Sequence, residues 1–148
     1  MLNFKALSPF GELLIDCSNS DNYLPALAHL KALGPSAIDA ELRSLDTPLP
    51  VDHGDEDASD AMSEERPVLM TYFLHAIEQG LHTKRDFELV QSYLALFLKL
   101  HTDIILKDTA LQTQCSTMLA SLGDNWTDLE MKFHSSLCII NYLRSIVL

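Results

Sequence analysis

An all-α fold, a single bundle of about seven antiparallel helices stacked as helical hairpins, is what this sequence of 148 residues predicts on three grounds. Hydrophobic residues make up 47% of the chain and recur at three- and four-residue intervals, so one sizeable core can be buried. Only five glycines and an aromatic share of 7% fit helices better than a sheet with many tight turns. The apolar runs are also punctuated by proline, glycine and short polar residues at the spacing of helix ends. One helical domain over residues 1–148, with an acidic loop insertion at 46–63, is the expected organisation.

The helices can be taken in order. Ser8 and Pro9 form an N-cap and first-position proline that open a short helix running to about Asp16. Asp21 or Asn22 caps YLPALAHLKAL, which stops at Gly34-Pro35. Ser36 caps AIDAELRSL, and Asp39 three residues on makes an acidic variant of the capping box. Beyond the acidic loop, Ser63 precedes EERPVLMTYFLHAIEQGL, where Pro67 is tolerated because it falls near the first turn. Thr83 with Asp86 opens the central helix in the same way. TALQTQCSTMLASL ends at Gly123, and Asp124 or Asn125 then caps a last helix, WTDLEMKFHSSLCIINYLRSIVL. Short turns between most of these segments imply antiparallel neighbours.

The central helix, DFELVQSYLALFLKLH from Asp86 to His101, shows one thin polar line of Glu88, Ser92, Ala95, Lys99 and Asp103. Phe87, Val90, Leu94, Phe97, Leu98, Ile104 and Ile105 occupy one flank, and Leu89, Tyr93, Leu96 and Leu100 the other. A helix wet along a single line must be surrounded, so it is expected to be the hub of the fold.

The last helix starts with a clean face of Trp126, Leu129, Phe133, Leu137 and Ile140. Towards the chain end Ile139, Tyr142, Leu143, Ile146, Val147 and Leu148 widen that stripe until little polar surface remains. Two readings are open. The end tucks back across the first three helices, or it presents an apolar patch to a partner helix, of a size rarely left bare on a monomer. On the second reading the partner-binding residues are Ile139, Tyr142 and Ile146.

Charge narrows the function classes. The formal net charge is −11, which argues against the basic footprint that phosphate binding needs. Residues 46–66 carry eight Asp and Glu against one Arg, leaving 13 acidic and 9 basic residues elsewhere, a net of −4. That stretch predicts a solvated, mobile spacer. It fails as a calcium loop. Counted from Asp55, the sixth position is Asp60 where glycine is needed, and the twelfth is Arg66 where a bidentate Glu belongs. Lys84, Arg85, Lys99 and Lys107 could form a small basic patch on the central helix.

Cys17, Cys115 and Cys138 are odd in number and lack CxxC spacing, so buried thiols in a reducing compartment are expected rather than disulfides or a zinc site. The N-terminus has too short an apolar run for a signal peptide, and no run approaches the ~20 apolar residues of a membrane span. A soluble intracellular protein is the expectation. No phosphate loop, HExxH or GxSxG pattern occurs. His75 and His82 share a helix face, and His101 with Asp103 could add ligands, but the adjacent His-Asp pair of helical metal-dependent phosphohydrolases is missing. No catalytic residue, metal ligand or cofactor is assigned; a metal-dependent helical hydrolase stands as the alternative class, and a free-standing homodimerisation module as another.

GPSAIDAELRSL (Gly34–Leu45), RDFELVQSYLALFLKLH (Arg85–His101) and the Trp126-led helix with SLCIINYLRS together resemble the C-terminal helical domain of the tandem WD-repeat proteins of the UTP-B complex. Polar residues carry the resemblance as well as leucines: Ser36, Asp39, Glu41, Arg43, Glu88, Gln91 and His101. Gly34 and Ser92 depart from the serine and alanine the family leads one to expect, and the acidic loop departs too. The resemblance implies a nucleolar, hence nuclear, component of the small-subunit processome. That assembly forms around pre-ribosomal RNA and the U-three small nucleolar RNA and supports 18S rRNA maturation. It implies propellers N-terminal to this segment, and a helical scaffold that pairs with the helical C-terminal domains of sibling UTP-B subunits. No catalysis, direct RNA contact, membrane or small-molecule substrate is implied for the domain. Asp39 and Arg43, one turn apart, could pair, and Glu41 with Arg43 could anchor the N-terminal helices on the hub.

Overall fold

The computed structural model describes residues 6–49 and 67–146. Among them the regular structure is entirely helical: α1 (Pro9–Ser20), α2 (Leu24–Ala32), α3 (Pro35–Arg43), a 3₁₀ turn (Ser44–Asp46), α4 (Val68–Thr83), α5 (Phe87–Ile105) and α6 (Thr109–Ile146). Six described α-helices stand where seven were expected, because the last two predicted segments are one. Most of the acidic insertion lies outside the described residues, as do Ser63, the expected cap of α4, and the final Val147 and Leu148.

Local chemistry accounts for the helix ends, sometimes not as expected. Ser8 caps α1, its Oγ accepting the Gly11 N–H at 3.1 Å, and Pro9 fills the first position. The helix continues past Asp16 to Ser20 and closes on Asp21, which takes the left-handed conformation at φ 51°. Asp21 therefore ends α1 instead of starting α2; Tyr23 is the N-cap of α2, while Asn22 Oδ1 accepts the Leu24 N–H at 3.2 Å. Gly34, not Ser36, precedes α3, because Pro35 suits the first helical position and needs no partner for a missing N–H. Thr83 belongs to the end of α4, its hydroxyl donating to the Gly80 carbonyl at 2.8 Å, so it cannot cap α5. Asp86 precedes α5 at φ 50° without a side-chain cap; its carboxylate holds Lys31 of α2 at 2.6 Å instead.

The chain divides into two compact units, residues 1–111 and 112–148. In the first, α4 is the packing centre and touches α1, α2, α5 and the 3₁₀ turn. Leu69, Met70, Phe73, Leu74, Ala76, Ile77, Gly80 and Leu81 of α4 are all buried. The expectation that α5 is the hub is thus corrected. α5 packs on α4 and α3 through Phe87, Val90, Tyr93, Leu94, Phe97, His101 and Ile105, but Leu89, Leu96 and Leu100 on its second flank are only half-buried. Its apolar breadth exceeds its burial.

Aromatic rings thread this core. Phe10 of α1 meets Phe73 edge-on at 6.2 Å, Phe73 meets Phe97 of α5 at 4.9 Å, and Phe97 meets His101 at 5.1 Å. Such pairs contribute about 0.5–1.5 kcal/mol each beyond area burial. Gln79 of α4 clips the α1–α2 turn: its Oε1 accepts the Tyr23 N–H at 2.8 Å and its Nε2 donates to the Asp21 carbonyl at 3.0 Å. Both backbone groups lie where the helix ends leave them without helical partners. The second unit is the greater part of α6.

Candidate assembly surface

Why α6 runs unbroken for 38 residues bears directly on what it can present. Gly123 was expected to stop a helix, yet it lies inside this one with no positive φ, and Asp124 and Asn125 cap nothing. An interior glycine costs a helix only about 1 kcal/mol relative to alanine, which a long helix tolerates. Continuity places nine apolar residues in one line: Leu111, Cys115, Met118, Leu122, Trp126, Leu129, Phe133, Leu137 and Ile140. Their spacing repeats every 11 residues, as 4, 3 and 4, close to the natural period of a straight helix, so the line stays on one side. Sequence reasoning misses the first four residues of this line because it takes Gly123 for a boundary. The 4-3-4 spacing crossing Gly123 without a break was the available signal.

Burial changes along the line. Leu111, Cys115 and Met118 are 2%, 6% and 3% exposed, whereas Trp126, Leu129, Phe133 and Ile140 are 44%, 47%, 65% and 57% exposed. Large apolar side chains are uncovered elsewhere on the same stretch too. Ile139, Tyr142 and Ile146, the residues expected to bind a partner, are 61%, 67% and 61% exposed. They do not extend the first stripe. At ~100° per residue they form a second line about 140° around the helix, with Leu143 between the two. No described helix of the chain is long and apolar enough to cross a membrane.

The histidines considered as ligands are dispersed. His75 stacks on Tyr23 at 6.0 Å and lies 3.6 Å from Glu78, while His82 and Asp103 are exposed on different helices. Among the described residues no three His, Cys, Asp or Glu side chains come together as a metal could use them. His101 has a different role. It is 5% exposed and its Nε2 is 2.7 Å from the Leu42 carbonyl at the end of α3. As donor it gives a side-chain partner to a last-turn carbonyl that otherwise has only a share of the Ser44 N–H. The backbone of α5 kinks at this residue, φ −117° and ψ 19°.

The polar link from α3 to α5 is thus made by His101, and not by Glu41 and Arg43, which were expected to anchor the N-terminal helices by interhelical pairing. Arg43 turns back to Asp39 of its own helix at 2.7 Å on an exposed surface, the one-turn pairing foreseen for those two residues. That hydrogen bond and charge raise the Arg43 pKa further. Glu41 Oε2 is buried without a hydrogen-bond partner among the described residues.

The basic residues do not converge. Lys84 and Arg85 lie in the α4–α5 turn and Lys107 beyond the other end of α5, a helix of 19 residues that is about 28 Å long at 1.5 Å per residue. Of the cysteines, Cys17 and Cys115 are buried and Cys138 is exposed on α6. Burial pushes both buried thiols upward in pKa, with the nearby Asp16 adding to the effect at Cys17.

A family model described as the Utp21 specific WD40 associated putative domain matches residues 1–144. Human WD repeat-containing protein 36 is 39% identical over 129 residues, covering 87% of this chain and 13% of that protein. U3 small nucleolar RNA-associated protein 21 of Saccharomyces cerevisiae is 30% identical over 125 residues, 84% of this chain and 11% of its own length. The homologous protein of Schizosaccharomyces pombe is 35% identical over 78 residues, 53% of this chain and 7% of the relative. The chain thus spans only a small part of the length of the curated relatives it matches.

Proposed function

The chain belongs to the Utp21 specific WD40 associated domain family, and on that premise we propose that it is a protein–protein assembly module of a small-subunit processome component. Its relatives are named for association with the U3 small nucleolar RNA, so the proposal places this chain in ribosome biogenesis, in the nucleus and nucleolus, in support of 18S rRNA maturation. The domain acts as a scaffold and not as a catalyst. Its partners are the helical C-terminal domains of sibling UTP-B subunits, and contact with RNA is made by other parts of the particle.

One observation carries the assembly reading: eleven large apolar side chains of α6, from Leu119 to Ile146, are 39–67% exposed. Uncovered apolar surface of this extent is uncommon on a free monomer and common where another chain docks. Ile139, Tyr142 and Ile146 are the residues assigned to the sibling contact. Helix-on-helix docking there would bury at least about 1,200 Å² in total if the complex is stable.

The test is co-purification of this chain with the helical C-terminal domains of candidate siblings. One sibling is expected to be retained by the wild-type chain and lost by the Tyr142→Asp/Ile146→Asp double variant, with helical content by circular dichroism unchanged. Retention of the sibling by the double variant would remove these residues from the interface. Failure of every sibling domain to bind the wild-type chain would sink the assembly reading.

A further inference from the structure

Thr127 stands apart from the other hydroxyl residues of the chain. Of all the serines and threonines it alone is followed by acidic residues at both the first and the third position, Asp128 and Glu130, and Asp124 lies three positions before it. No Lys or Arg occurs between Lys107 and Lys132. Thr127 is exposed on α6, and so are Asp124, Asp128 and Glu130. We propose that Thr127 is a phosphorylation site for an acidophilic protein kinase, one whose substrate groove is lined with Lys and Arg, and that the phosphate unwinds the distal half of α6.

Charge complementarity between such a groove and the carboxylates after Thr127 steers the encounter and sets the register. A kinase also needs its substrate extended in the cleft, and a helix held in a core would refuse it. This stretch of α6 is not so held. Trp126 and Leu129 are 44% and 47% exposed, and a Cβ added at Gly123 would meet nothing within 4 Å. Opening it breaks helical hydrogen bonds and the bond from the Thr127 hydroxyl to the Gly123 carbonyl, 3.1 Å, but little tertiary packing. Segments of this kind open locally at low free-energy cost.

In the transfer, Thr127 Oγ attacks the γ-phosphorus of ATP and the bond to the bridging oxygen breaks. ADP leaves, and the hydroxyl proton passes to the catalytic Asp of the kinase. The phosphothreonine then carries a charge of about −1.5 to −2 at neutral pH, within a turn of Asp124 and Glu130 and beside Asp128. The nearest following cation, Lys132, is five positions on, past the three- and four-residue spacings at which side chains pair on a helix. Like charges at those spacings oppose the helix, and the esterified oxygen no longer donates to the Gly123 carbonyl. Ile139, Tyr142 and Ile146 lie beyond this point on the same helix, so a sibling docked there is released. That last consequence rests on the sibling reading; the modification and the unwinding do not.

The experiment treats the 148-residue chain with a purified kinase of the casein-kinase type and Mg·ATP, the kinase having been verified on an acidic control peptide. Phosphates are mapped by tandem mass spectrometry, and circular dichroism is recorded before and after. Phosphate is expected on Thr127, with a fall in helical signal that the identically treated Thr127→Val variant does not show. Labelling of Thr127 is expected to slow at least about tenfold in Asp128→Asn/Glu130→Gln, which removes the charge that the groove reads, and to slow in Gly123→Ala, which stiffens the helix. A wild-type chain without phosphate on Thr127 overturns the inference, as does labelling indifferent to Asp128 and Glu130. Phosphate on Thr127 with an unchanged helical signal overturns the switch. Unwinding with a sibling still bound would sink the sibling contact and leave the site standing.

Discussion

His101 shows how one buried polar side chain can hold two helices together. Its imidazole lies against Phe97 and reaches the last-turn carbonyl of α3, so the residue serves both as packing and as a cap. Replacing it with leucine keeps most of the volume but removes the side-chain donor from the Leu42 carbonyl, which keeps only the shared Ser44 N–H. The expected loss is about 0.5–1.5 kcal/mol, the net worth of one intramolecular hydrogen bond, read as a lower urea midpoint with unchanged slope. Exposed polar pairs should matter far less: Asp39→Ala removes a surface ion pair worth at most ~1 kcal/mol. Burial also sets the behaviour of the thiols and phenols. Cys17, Cys115, Tyr23 and Tyr93 are all raised above their ordinary values of 9.0 and 10.0, chiefly by desolvation. Between the unfolded and folded values the unfolded chain releases protons that the folded chain keeps, so alkali favours unfolding. Stability is therefore expected to be whole below pH 9 and to fall as pH rises beyond it. Cys138 alone is exposed, and a thiol reagent near neutral pH should label one cysteine quickly and the other two only on unfolding.

Elements test the packing. Leu94 is 3% exposed and Phe73 0%, so truncation to alanine should cost about 2–5 and 3–5 kcal/mol respectively. Leu96, half-buried on the flank of α5 that the core does not fully cover, should cost markedly less; equal losses at Leu94 and Leu96 would restore α5 as the hub. Two glycines in helices make a sharper contrast. At Gly80 an added Cβ would lie 2.6 Å from Leu27 Cδ1 and 3.1 Å from Val90 Cγ2, whereas at Gly123 it would meet nothing within 4 Å. The ~1 kcal/mol that alanine gains in helix propensity is kept at Gly123. At Gly80 it is set against about 1–3 kcal/mol of overpacking, because the branched Val90 cannot rotate out of the way as readily as Leu27. Gly80→Ala should lower the urea midpoint, and Gly123→Ala should slow amide exchange around position 123. These two residues also mark where the sequence was readable. Helix existence was legible from spacing and from Ser8-Pro9, which act through local sterics and hydrogen bonds, whereas Pro35, read as part of the stop of α2, opens α3. Gly123 was not legible, because a glycine ends a helix only where the chain must turn through a left-handed conformation, and tertiary packing decides whether it must. The breadth of the apolar face on α5 was likewise visible, but which neighbour covers it is a tertiary fact. His101 was recognised among the polar matches; its bond to α3 joins residues 59 apart and has no local signal.

Across the whole chain, apolar surface is divided unequally. The unit of residues 1–111 encloses its rings and leucines around α4, while α6 leaves eleven large side chains in water. Ile139, Tyr142 and Ile146 were singled out in the sequence on the same last helix as Trp126, Leu129, Phe133, Leu137 and Ile140; that they form a separate line follows from ~100° per residue and was legible there too. The energetic consequence is a gradient of local stability. Buried leucines in α4 each contribute roughly 1.5–3 kcal/mol, so opening α4 requires opening the core. Beyond Gly123 the α6 backbone is held by its own hydrogen bonds with little burial to reinforce them, and helices without tertiary support are marginal. Native-state hydrogen exchange should therefore find α4 amides protected to the level of global unfolding and amides after Gly123 exchanging through local fraying. A partner helix on α6 changes the second class only: its protection should rise by orders of magnitude while α4 is unchanged. If amides 124–146 of the isolated monomer instead matched α4, the helix would already be stabilised within one chain, and the exposed lines would need no partner to explain them.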